Sequence, residues 1–154
     1  MPNHITSQVR IGGSKKAIAK LVKDSKLIQD GDVEKNEFDF NAVVKTPSNI
    51  YQGNLGQEER EKYGSNNWYD WNNQNWGTKW NAYDVHYIDG GDDFIVIQID
   101  TAWDTPRQIW QALREQGFTV DGFYYGEMEG YEEIGDKAWD YFSAYQNVEV
   151  EYNG

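Results

Sequence analysis

The chain has 154 residues, 38% hydrophobic and 16% aromatic, with a mean hydropathy of −0.87 and a formal net charge of −12. That length suits one domain over residues 1–154, and the aromatic content argues against disorder, because large rings supply burial that few Leu and Met residues do not. Lack of cysteine excludes a disulfide framework, a thiolate zinc site and a cysteine nucleophile, and the negative balance disfavours contact with phosphate backbones.

Residues 4–11 place Ile5, Ser7, Val9 and Ile11 on one side and Thr6, Gln8 and Arg10 on the other, which is strand periodicity, and Gly12-Gly13 ends it. Ser14 then caps a helix to about residue 24, with Ala17, Ile18, Leu21 and Val22 as its apolar stripe and four lysines on its wet face. After a polar, turn-like stretch over residues 29–36, the segment EFDFNAVVK at 37–45 predicts a second strand, stopped by Thr46-Pro47. An insertion of about residues 46–80 follows, with short helices expected at 57–63 and 67–75 and Gly77 closing the second.

Residues 82–88 and 94–101 predict a hairpin around Asp89-Gly90-Gly91-Asp92. Apolar residues on both sides of 94–99 suit a central strand covered on both faces. Asp104-Thr105-Pro106 opens the clearest helix, with Ile109, Trp110 and Leu113 facing inward and Gly117 ending it. Residues 118–125 read as a strand, 127–137 as an acidic loop or hairpin, 139–145 as a strand or short helix, and 148–152 as a terminal strand. This order predicts an α+β fold: a ferredoxin-like sandwich, an antiparallel sheet with two helices on one face, interrupted by a Trp-rich helical insertion.

The run NWYDWNNQNWGTKW, residues 67–80, carries four of the seven tryptophans amid polar residues. Trp68, Trp71, Trp76 and Trp80 either offer an aromatic platform to a sugar, base or peptide, or pack the insertion against the sheet, and the length of the connection favours packing. Lys79 is placed to pair with Asp70 or to lay its stem on Trp76. The opening Met1-Pro2-Asn3, the block from Trp68 to Ala82, the helix near residues 103–117 and Phe123-Tyr124-Tyr125 resemble the YubB-like proteins of plasmids and bacteriophages. Their signature is N-W-G-T-K-W, its specific part here covering some fifteen residues. His4 departs from the pattern, where related proteins often carry Trp. The resemblance implies a ferredoxin-like domain in a mobile-element setting, in the cytoplasm of a bacterial host, with no activity to carry over.

Catalytic and metal chemistry find little support. Only His4 and His86 are available as imidazole ligands. Asp30, Asp32, Glu34 and Asn36 start like a calcium loop but put Lys35 at the glycine position and Asn41 at the bidentate-glutamate position. Gly12-Gly13-Ser14-Lys15 lacks the rest of a phosphate loop, and Glu127, Glu129, Glu132 and Glu133 form no recognisable glycosidase pair. No enzyme and no cofactor are expected. The N-terminal run lacks an apolar signal core, and the longest apolar run, residues 94–97, is too short to span a bilayer, so no membrane partner is expected.

From Asp84 onward there are sixteen acidic and three basic residues, interleaved with tyrosines. The expected function is therefore binding of a host protein with a basic surface, as an anti-defence inhibitor or nucleic-acid mimic. Glu127, Glu129, Tyr131, Glu132, Glu133, Asp136 and Asp140 are its contact residues. The alternative is a single-stranded nucleic-acid or small-ligand module using the sheet or the Trp-rich insertion.

Overall fold

The computed structural model describes residues 3–29, 35–126 and 132–141. Strand β1 (His4–Gly12) alternates as its sequence demands, with Ile5, Ser7, Val9 and Ile11 buried on one face. Helix α1 (Lys15–Asp24) starts at Ser14, whose hydroxyl accepts from the Ala17 N–H at 3.1 Å, and buries Ile18 and Leu21. A long excursion then holds a 3-10 turn (Phe40–Ala42), α2 (Gln57–Tyr63) and α3 (Trp68–Asn75). The chain returns as the hairpin β2 (Tyr83–Gly90) and β3 (Phe94–Ala102), followed by α4 (Arg107–Glu115), β4 (Thr119–Gly126), β5 (Glu132–Ile134) and α5 (Ala138–Tyr141).

The five strands form one antiparallel sheet in the order β2-β3-β1-β4-β5. β1 runs down its middle, Val9 opposite Ile97 on one side and Gly122 on the other. Val9, Ile11, Ile95, Ile97, Ile99 and Val120 from the sheet pack with Ile18 and Leu21 of α1 and with Ile109, Trp110 and Leu113 of α4 in a single core. Ser7 is satisfied inside that core: its hydroxyl shares a 2.7 Å hydrogen bond with Thr105, which also accepts from the Trp110 indole at 2.9 Å. The opposite face of the sheet holds a smaller cluster, Val96 and Phe123 with Phe94 and Tyr125.

The segment 37–45 is not a strand. Phe38 and Phe40 are buried, so the alternation in the sequence is real, but the backbone bonds elsewhere. The Phe40 N–H donates to the Asn81 side chain at 3.0 Å and the Asn41 N–H to the Asp39 carboxylate at 3.0 Å, which curls the chain into a 3-10 turn. The second strand of the fold is instead Tyr83–Gly90, and the excursion between α1 and it begins directly after α1 rather than near residue 46. The predicted strand at 148–152 lies outside the described residues, as do Asp30, Asp32 and Glu34.

Candidate functional site

The tryptophan block splits into an inward and an outward half. Helix α3 is fixed by Asn67, which is fully buried: its side-chain oxygen caps the Asp70 N–H at 2.9 Å and its amide donates to the Gly64 carbonyl at 2.6 Å and to the Asp70 carboxylate at 2.7 Å. Gly77 closes the helix at φ 82°, a left-handed conformation that costs glycine little. Thr78 then ties it to the sheet by donating to the Ala102 carbonyl at 2.7 Å.

Trp76 is 4% exposed; its ring meets Phe40 and Trp71 edge-on, with centroids 5.6 and 5.4 Å away, and its indole N–H donates to the Val44 carbonyl at 2.8 Å. Trp71 packs against the same core. Trp68 donates its indole N–H to the Gly53 carbonyl at 2.9 Å, so two indoles pin two separate loop segments to one helix.

Between these elements opens a cleft of about 480 Å³, lined by Trp68, Trp76 and Trp80 and by Asn41, Thr46, Gln52, Asn72 and Asn81. Its lining contains no charged side chain. Asn41 and Asn81 are spent on structure. The Asn41 side-chain oxygen accepts from the Thr46 N–H, and that of Asn81 from the Phe40 and Ala82 N–H groups; both amides donate to Asp39.

Lys79 takes neither of its expected positions. Asp70 is engaged by Asn67, and the Lys79 ammonium lies over Trp80 at 4.6 Å and over Trp103 at 5.0 Å from the ring centroids. No sequence pattern places Trp103 in this group. Its positive φ of 79° and its exposure are the features that single it out, and both belong to the fold.

The second set of candidate residues lies at the β5 edge. Glu132, Glu133, Asp136 and Asp140 are all exposed on β5, on the turn after it or on α5, while Glu127, Glu129 and Tyr131 lie outside the described residues. Glu132 is engaged internally: it accepts from the Tyr124 hydroxyl at 2.6 Å, which accepts from Arg107 at 2.6 Å, and Arg107 forks onto Asp104 at 2.9 and 3.2 Å. The bonds to Asp104 and Tyr124 raise the Arg107 pKa. Burial and the Glu132 bond raise that of Tyr124 against the opposing pull of Arg107. This chain ties α4, β4 and β5 together and leaves Glu133, Asp136 and Asp140 as carboxylates without an ion pair among the described residues.

On the sheet face opposite the helices, Arg10 lies over the rings of Phe94 and Tyr141, 4.4 and 4.2 Å from their centroids, with Asp100 on the same face. Among the described residues no group of three His, Cys, Asp or Glu side chains could hold a metal ion, and no helix is long and apolar enough to cross a membrane. No family model, curated protein or solved structure matches the chain.

Proposed function

We propose that the protein is a non-enzymatic accessory protein of a phage or plasmid, working in the host cytoplasm by binding a basic surface of a host protein. The observation that carries this reading is the set of exposed carboxylates without ion-pair partners among the described residues, Glu133 on β5, Asp136 on the turn after it and Asp140 on α5, with β5 braced by the Arg107–Tyr124–Glu132 chain. Exposed carboxylates near Tyr141 combine long-range attraction for cations with an aromatic anchor, and they imitate the charge of a nucleic-acid strand. A host enzyme that normally holds nucleic acid is the partner this chemistry fits, which makes inhibition the natural outcome.

The same proposal includes a ferredoxin-like topology and kinship with the YubB-like proteins. Supporting the first is the order β1-α1-β2-β3-α4-β4 with spatial order β2-β3-β1-β4, two helices on one face, and β5 added at the edge. Supporting the second is the N-W-G-T-K-W signature at residues 75–80. Binding of single-stranded nucleic acid through the sheet is the weaker reading. Arg10 is already enclosed by two rings, and Asp100, further along the same sheet face opposite Thr6, repels phosphate.

The test is affinity capture from bacterial lysate at low salt, run beside the triple variant Glu133→Gln, Asp136→Asn, Asp140→Asn. A basic protein held by the wild type and lost by the variant is the expected result. Equal recovery by both, or no specific recovery, overturns the reading.

A further inference from the structure

We infer that the tryptophan-lined cleft is a binding site for a neutral saccharide, separate from the acidic edge. The decisive side chain is Asn72, which is 7% exposed and lines the cleft. Its amide donates to the Lys79 carbonyl at 2.9 Å. A carbonyl only accepts, so that bond fixes the amide orientation and leaves the Asn72 side-chain oxygen as the remaining acceptor. Among the described residues no group donates to it, and leaving a buried acceptor unmatched costs about 1–3 kcal/mol. Other lining groups are likewise without a hydrogen-bond partner among the described residues: the Trp80 indole N–H, the Thr46 hydroxyl and the exposed Gln52 amide. Donors and acceptors beside indole surfaces match a sugar ring, which presents hydroxyl groups around its edge and C–H bonds on its faces.

The charge pattern narrows the ligand class. The lining itself carries no charged side chain, and Lys79 beside Trp80 stands against a net charge of −12 for the chain, so phosphates and carboxylates are disfavoured there. No carboxylate lines it either, and Lys79 already lies over the Trp80 ring, so a quaternary ammonium meets repulsion at its best aromatic partner. The volume lies within the range of small-molecule sites.

The experiment is a two-dimensional ¹⁵N NMR titration of the full chain that follows the tryptophan indole and Asn/Gln amide resonances. Tetrasaccharides of glucose (α-1,4 and β-1,4) and of N-acetylglucosamine (β-1,4) are the probes, with choline and uridine monophosphate as contrasts. The expected result is a saturable shift of the Trp80 indole and the Asn72 amide with at least one saccharide and none with either contrast. Trp80→Ala and Gln52→Ala, both at exposed positions, are expected to weaken binding by about tenfold or more while preserving the other resonances. Shifts from choline or the nucleotide alone, or no saturable shift from any of the three saccharides, overturn the inference. Unchanged affinity in both variants also overturns it.

Discussion

Asp39 and Asp100 are partly buried carboxylates whose surroundings push them in opposite directions. Burial raises Asp39, but the bonds from Asn81 and Asn41 and the charge of Lys26, 3.7 Å away, outweigh it and leave its pKa below the ordinary value. A carboxylate lowered in the folded state stabilises it above the unfolded pKa and loses that contribution as pH falls through the folded one. Asp39→Ala leaves three N–H groups without their acceptor and is expected to cost about 1–3 kcal/mol near neutrality. Urea denaturation at several pH values should show that gap narrowing below about pH 5.

Asp100 is raised, chiefly by burial and also by the charge of Asp84, against a 2.7 Å hydrogen bond from Thr6. Its neutral form is the one the fold favours, so stability is full below the unfolded pKa and lost as pH rises through the folded value. Asp100→Asn stays neutral and can still accept from Thr6. It is expected to gain up to about 1 kcal/mol at pH 7, the half-exposed position limiting the effect, and nothing once Asp100 itself is protonated. A thermal midpoint at pH 7 below that of the wild type would contradict this account.

Among the elements, the excursion between α1 and β2 stands or falls with Trp76. Its ring fills the space between Phe40 and Trp71, and its N–H satisfies the Val44 carbonyl on the loop below. Trp76→Ala should therefore cost about 3–5 kcal/mol, as truncation of a buried large aromatic usually does. Trp76→Phe keeps part of the packing but loses the hydrogen bond and should cost less. Trp80→Ala, at a position 37% exposed, should stay within about 1 kcal/mol. Equal midpoints for Trp76→Ala and Trp80→Ala in urea would sink the division into inward and outward tryptophans.

That division also marks how far the sequence could be read. α2 and α3 lie where predicted, because their signals are local: Gly64 closes the first, Asn67 caps the second and Gly77 ends it. Residues 37–45 were misleading because the groups that bend them are long-range. Asn81 reaches back some forty positions to the Phe40 N–H and the Asp39 carboxylate, and no pattern within the segment announces that. Likewise, which tryptophans face the core depends on the Val44 and Gly53 carbonyls, and so does the cleft left between them.

For the molecule as a whole, charge is the property that acts at the longest range. The −12 net charge is concentrated beyond Asp84, and the ion pairs among the described residues are mostly between exposed side chains, where each contributes little. Folding brings those carboxylates together, so mutual repulsion opposes the compact state. Raising sodium chloride from about 10 mM to about 150 mM shortens the screening length from about 30 Å to about 8 Å. The repulsion then weakens and the thermal midpoint should rise, by about 2–4 °C for each kcal/mol recovered. The proposed complex with a basic partner should respond the opposite way, because the same ions screen the attraction that steers it, and the loss should appear first in the association rate. Neutral saccharide binding in the tryptophan cleft has no charge to screen and should hold constant across the series. Running all three measurements over one salt series separates them: a midpoint that falls with salt would mean that ion pairing outweighs repulsion, and a salt-insensitive association would remove the acidic edge from the interface.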